Sequence, residues 1–263
     1  SSLLNRALLY SQSFNGLIIN FPNDKELSTG GKINEGVVST ELGLKGIPAL
    51  AEELQVARDL FLLEYTGGKL HIPTISTKAS VKLIKEAKKK GISVTADVSI
   101  MHLLFNDEDI LEFDSNFKCN PPLRSKKDQE ALIKGLKDGV IDAICTDHNA
   151  QDTESKKVEF DNALFGTSTA QWTFSKAYEK LVKGLGQERV IELFTSRPCE
   201  ILGKENNIIK EGETVNFTLF SPKEEWEFNA TSNQSKSLNS PFLQSKIRGK
   251  IIATGRNKDI YRF

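Results

Sequence analysis

Histidine and cysteine are scarce in this sequence of 263 residues, at three each, with a single methionine. Cys119, Cys145 and Cys199 are widely separated, odd in number and form no CxxC pair. That argues against a disulfide framework or a structural zinc site and suits a reducing cytoplasm. Net charge is also lacking, since 35 basic and 35 acidic side chains cancel. Nucleic acid is therefore a poor first expectation. No apolar run approaches the roughly 20 residues of a membrane helix, so no membrane partner is expected. Ser1–Tyr10 lacks the charged head and long apolar stretch of a secretory signal. It also lacks an initiator methionine, which reads as a processed, trimmed or partial chain. HxH, HExxH, GxSxG and GxxxxGK[ST] patterns are all missing. The residues alone thus support no metal centre, serine nucleophile or phosphate loop.

What is present is an ordinary globular composition, 38% hydrophobic and 27% charged, long enough to bury a full core. From Gly16 to about Lys183, short β-type runs alternate with helical patterns. Strands are expected at Gly16–Phe21, Lys69–Ile75, Ser93–Val98 and Asp142–Asp147. Helical spacing connects Ile47, Leu50, Leu54, Ala57 and Leu60. A second helix follows a Ser76-Thr77 cap, with Ala79, Leu83 and Ala87 as its stripe. Further helices fit Lys126–Lys137 and roughly Ala163–Lys183. Four strands separated by helices imply right-handed βαβ units and a parallel sheet, with chemistry at the strands' carboxyl ends. After about Lys204 the pattern changes. Thr214–Ser221, Trp226–Ala230, Gly249–Thr254 and Asp259–Phe263 read as short strands, and Thr231–Ser245 as a polar loop. The expected division is an α/β body over residues 1–204 and a small β-strand domain over 205–263.

Candidate site residues lie at those strand ends. Thr74 shares strand parity with Leu70 and Ile72, so if Thr74 faces the interior, His71 faces the helices. Asp147 shares a face with Ala143 and Cys145. A carboxylate there is costly unless solvated, paired or metal-bound; a helix cap is an equally frequent role. His148 has the opposite parity and either orients the loop or does chemistry. In Phe117–Arg124, adjacent prolines stiffen the loop that displays Asn120 and Arg124. The bland alternative is a rigid turn with Arg124 paired to a carboxylate.

Several stretches together resemble dihydroorotase of the amidohydrolase superfamily, especially its multifunctional-complex type. They are Asn34-Glu-Gly36, Gly43-Leu-Lys-Gly-Ile-Pro48, Ala51-Glu-Glu53, Thr66-Gly-Gly-Lys-Leu-His71 and Phe117–Arg124. Thr146-Asp-His148, Phe165-Gly166, Glu224-Glu-Trp226 and Ser235-Lys-Ser-Leu-Asn-Ser-Pro-Phe242 continue in family order. The resemblance implies a (β/α)-barrel of the amidohydrolase type with a zinc centre, interconverting dihydroorotate and carbamoyl aspartate. Counted back from Thr146-Asp-His148, the four strands match the family's fifth to eighth, a partial TIM barrel. The first strand, with two histidine ligands, and the fourth, with a carboxylate or modified lysine, have no counterpart. The fifth-strand histidine ligand falls at Phe21 and the sixth-strand one at Thr74. The resemblance makes Asp147 the metal-binding general base and Asn120 a substrate contact. It adds Phe165 and Gly166 from a partly matching substrate loop, while Gln151 stands where the family has a histidine.

Phe21 has no donor atom and a neutral Thr74 hydroxyl is a weak zinc ligand. The expectation is a dihydroorotase-like protein of pyrimidine biosynthesis with no metal or other cofactor. Its catalysis is impaired, and a scaffolding or regulatory role with aspartate transcarbamoylase remains. One alternative is an active cyclic amidohydrolase whose ion is held by Asp147 with His102 and His148 as spare donors. Another is a nonenzymatic binder holding an anionic pyrimidine precursor through Asn120, Arg124 and the loop after Asp147. The resemblance and the cysteine usage place it in the cytoplasm. Four βα units leave open sheet edges, so either upstream residues or pairing with another copy, a homo-oligomer, is expected.

Overall fold

The structure is a computed structural model that describes residues 1–263 except 207, 213, 215 and 258. An α-helix, α1 (Ser2–Ser11), leads into strand β1 (Leu17–Ile19). Short elements follow: α2 (Lys25–Ser28), β2 (Ile33–Asn34), α3 (Val37–Glu41) and β3 (Gly46–Ile47). Then come α4 (Leu50–Thr66), β4 (Lys69–Ile72), α5 (Lys78–Lys89), β5 (Val94–Ser99), α6 (Ile100–Leu104), α7 (Lys126–Lys137) and β6 (Ala143–Cys145). Helices α8 (Thr153–Lys156), α9 (Thr173–Leu185), α10 (Gln187–Glu192) and α11 (Ser196–Ile201) precede strands β7 (Asn216–Phe228), β8 (Ser245–Arg256) and β9 (Asp259–Arg262).

Strands β1, β4, β5 and β6 form one parallel sheet in that order. The four expected strands are all there; β1, β4 and β6 are shorter than their expected runs, and β5 is shifted by one residue at the same length. One face of this sheet is apolar: Leu70, Ile72, Val94, Ala96, Val98 and Ile144 are buried against the helices. α5 shows why the helices form where they do. The Thr77 hydroxyl accepts from the Ser80 N–H, capping the helix, and Val81, Ile84 and Ala87 form its buried stripe. That stripe is turned from the Ala79–Leu83–Ala87 row expected from spacing. α7 matches its expected range, whereas α9 begins at Thr173 rather than near Ala163. The intervening residues are tied down as a loop, so their apolar spacing was not a helical signal.

Several elements escaped the sequence reading, among them helices α1, α10 and α11 and one pair of strands. β2 and β3 are a two-residue parallel pair, Ile33 with Gly46 and Asn34 with Ile47, too short to leave a periodic signature. At the carboxyl end, Thr214–Ser221 and Trp226–Ala230 are not separate strands. They form the single strand β7, kinked by register shifts at Leu219/Phe220 and Ser221/Glu225. Val215 of the first expected strand lies outside the described residues. β7 pairs with β8, and β8 with β9, all antiparallel. The expected loop is present between Phe228 and Ser245. Gly249, at φ +91°, brings β8 against the Phe220 ring, where a Cβ would lie 2.7 Å from a ring carbon. Phe220 in turn meets Phe174 and Tyr178 of α9, with ring centroids 4.8 and 5.2 Å apart. The apolar core runs on through Phe228 and Ile247 into this sheet.

Candidate functional site

The other face of the parallel sheet carries a polar cluster on its two central strands. His71, Thr95 and Asp97 meet there: His71 Nε2 lies 2.8 Å from Asp97 Oδ2, and Nδ1 lies 2.9 Å from Thr95 Oγ1. His71 therefore faces the interior, opposite to the parity expectation. The expectation failed because β4 ends at Ile72. Beyond Pro73 the chain turns back at Thr74, whose φ is +50°. Thr74 thereby brings its backbone N–H within 2.8 Å of Asp97 Oδ1. Alternation counted through that turn gives the wrong face.

Asp147 follows β6 after Thr146, also at positive φ (+47°). Burial, and next the charge of Asp97, push its carboxyl up to about 6. The Cys145 thiol is raised by burial and by the neighbouring Asp97 and Asp147. Burial, with a smaller contribution from Asp147, pushes Cys119 up to about 12. Asp97, Cys145, Asp147 and Cys119 are thus near neighbours. Desolvation beside a second carboxylate favours the protonated form of Asp147. Asp97 was missed in the sequence, although an acid inside an apolar strand is the same costly signal that singled out Asp147.

The remaining candidates divide sharply. Asn120, next to Cys119, is exposed and free to meet a ligand. Phe165 and Gly166 sit in a turn whose backbone is already engaged. The Phe165 carbonyl accepts from Gln151 Nε2 at 3.0 Å and Asn149 Nδ2 at 3.3 Å. The Gly166 N–H donates to the Lys118 carbonyl at 2.9 Å, and its own carbonyl accepts from Lys156 Nζ and Asn239 Nδ2, each at 3.0 Å. Only the Phe165 ring remains for contact. Glycine is required at 166, because φ is +138° and a Cβ would lie 2.6 Å from the Asn149 carbonyl oxygen.

Arg124 is structural, but its direct partners are a hydroxyl, an amide and a main-chain carbonyl rather than the expected carboxylate. It is buried and donates from Nη1 to Asn34 Oδ1 and the Ile47 carbonyl (3.0 and 2.7 Å), and from Nε to Ser76 Oγ at 3.1 Å. Glu52 supplies the balancing charge through Ser76 and the backbone N–H groups of Ser76 and Thr77. Arg124 is therefore withdrawn from the set that could hold an anionic ligand.

The donors present do not fit a dinuclear zinc centre. Phe21 is 40% exposed and offers only a ring. Thr74 offers one hydroxyl on a turned backbone. His102 is not at a strand end; it is buried in α6, with Nε2 at 3.1 and 3.2 Å from the Pro121 and Pro122 carbonyls. His148 accepts the Thr169 and Ala170 N–H groups at Nδ1. Neither spare histidine joins Asp147, so the arrangement of Asp147 with His102 and His148 is not formed. Among the described residues, no three His, Cys, Asp or Glu side chains are grouped to hold an ion.

Comparison with known proteins gives the wider frame. A family model described as dihydro-orotase-like matches residues 1–80. The chain is 43% identical over 263 residues to a dihydroorotase of Caldicellulosiruptor saccharolyticus, covering 99% of this chain and 60% of that protein. It is 40% identical to a dihydroorotase of Caldanaerobacter subterraneus subsp. tengcongensis, covering 97% and 59%. The chain is thus similar to dihydroorotases over nearly its whole length. It spans about 60% of the length of these curated relatives. Solved structures extend the likeness of fold. The dihydropyrimidinase from Brevibacillus agri superposes with a TM-score of 0.83 at 18% identity, covering 98% of this chain and 59% of that one. The L-hydantoinase from Arthrobacter aurescens gives 0.82 at 19%, covering 98% and 60%. The fold of this dihydroorotase-like chain is thus that of these structures over about 60% of their length, a four-stranded parallel sheet with helices and a small antiparallel sheet at the carboxyl end.

Proposed function

We propose that this chain serves pyrimidine biosynthesis as a dihydroorotase-like protein whose own metal-dependent catalysis is impaired, leaving a scaffolding role. The carrying observation is the donor set. Phe21 and Thr74 stand where the resemblance puts histidine ligands, and all three histidines are engaged in hydrogen bonds elsewhere. Amide hydrolysis in this family draws on metal ions to lower the pKa of water and polarise the carbonyl. Phe21 and Thr74 cannot hold such ions whatever other segments contribute. Asp147, Asn120 and the Phe165 ring, which the resemblance assigns to the site, are retained in the chain, a ligand frame without its Lewis acid.

The scaffolding part is supported by the outer face of α4. Leu50, Leu54, Phe61 and Tyr65 fall within roughly 60° of one another on the helix. All are exposed, Phe61 at 71% and Tyr65 at 86%. An apolar stripe of this size on an outer helix marks a contact surface. Aspartate transcarbamoylase, with which the family resemblance implies that noncatalytic members assemble, is the proposed partner. Metal analysis and a dihydroorotate assay on the full-length protein test the reading. Substoichiometric zinc and no turnover are expected; one or two zinc ions per chain with normal turnover overturns it.

A further inference from the structure

Two lysines are buried beside the candidate site. Lys156 of α8 donates from one nitrogen to three carbonyls: Ser115 at 2.5 Å, Leu164 at 3.0 Å and Gly166 at 3.0 Å. Lys118 donates to the Phe160 and Asp161 carbonyls at 2.6 and 3.1 Å, and its ammonium lies 5.2 Å from the centre of the Phe165 ring. No carboxylate forms an ion pair with Lys156 among the described residues. The acceptors are all main-chain oxygens of the segment that carries Phe165 and Gly166 and of the segment leading to Asn120.

The hydrogen count is decisive. Three carbonyls satisfied by one nitrogen need three N–H bonds, which only the ammonium has; a neutral amine keeps two. Loss of the proton removes one of the three bonds and turns the charge-assisted ones that remain into weaker neutral ones. The turn at Gly166 is seated against Asn149, two residues beyond Asp147, so a looser turn is felt by the loop that follows Asp147.

We propose that Lys156 is a positioning residue: its ammonium fixes the Phe165–Gly166 turn against the loop that follows Asp147, and the turn loosens when that proton is lost. The charged surroundings agree in direction. Burial, and next the Lys118 ammonium, bring Lys156 down to about 8, against the opposing pull of Cys119 and Asp114. Lys118 is itself brought down to about 8 by burial and by Lys32, with Asp161 opposing. The inference stands apart from the reading of impaired catalysis, since it needs neither metal nor turnover.

Hydrogen exchange on the full chain tests it, with rates corrected for the intrinsic pH dependence. Protection of a peptide covering residues 157–168 should fall about tenfold between pH 6.5 and pH 9.5, while a peptide over residues 94–99 stays protected. Lys156→Met should show the low protection already at pH 6.5. Constant wild-type protection to pH 9.5, a parallel loss in the 94–99 peptide, or a Lys156→Met loop as protected as the wild type each overturns the proposal. Should Lys156→Met fail to fold, the wild-type pH profile alone decides.

Discussion

At His102 the packing sets the charge. Burial takes its pKa down to about 4, since the carbonyls of Pro121 and Pro122 only partly offset the lost solvation. An unfolded histidine takes up its proton near 6.5. The neutral folded form is therefore fully favoured above that pH, and stability is lost as pH falls from about 6.5 to about 4. The full effect is on the order of 3 kcal/mol. His102→Gln should flatten this part of the profile, read as melting temperature against pH. Asp147 runs the other way. Its folded carboxyl keeps a proton up to about 6, against an ordinary 3.8, so its contribution is greatest below pH 4 and is lost as pH rises through 6. Asp147→Asn should accordingly raise the melting temperature by a few degrees at pH 7.5, about 1–2 kcal/mol after allowance for partial exposure, and change nothing at pH 4. Asp147 was legible as an unusual acid at a strand end. His71 was not, because a single left-handed residue at Thr74 broke the alternation used to place it.

Among the elements, the β2–β3 pair depends on one side chain from a distant loop. Arg124 holds Asn34 of β2 and the Ile47 carbonyl of β3, and Asn34 Nδ2 donates to Asp107 at 2.8 Å. Arg124→Met removes three buried hydrogen bonds and the positive charge that balances the Glu52 carboxylate. It should lower stability by about 3–5 kcal/mol, measured by denaturant unfolding. Arg124→Lys should recover little, because an ammonium cannot reproduce the spread of Nε and Nη1. The loop after β6 is under similar constraint: Gly166→Ala should cost about 2–4 kcal/mol or dislodge the loop, read as lost protection over residues 157–168. The sequence showed the stiff Pro-Pro turn but not which way Arg124 points. That is set by partners some 50 to 90 positions away, beyond the reach of local spacing.

For the whole molecule, the βα alternation and the switch to β structure were plain in the chain. So was the family resemblance, through its combination of short motifs rather than any one of them. The single kinked strand β7 was hidden, because register shifts interrupt the period that marks a strand. The outer face of α4 was hidden as well: Leu54 belongs to the same helical repeat as the buried Leu60, and only burial tells the two apart. Replacing Phe61 and Tyr65 by glutamate should leave the circular dichroism spectrum unchanged and abolish co-elution with aspartate transcarbamoylase in gel filtration. The pairing of Leu17 with Lys69, Leu70 with Val94, and Asp97 with Ala143 also has a kinetic side. Every contact in the parallel sheet closes over a helix, so no two neighbouring strands can find each other locally. The closing entropy falls due before the contacts that reward it, which puts the assembly of this sheet in the slow range of milliseconds to seconds or beyond. During that interval the apolar strands are open to each other's copies, and refolding yield should fall as protein concentration rises.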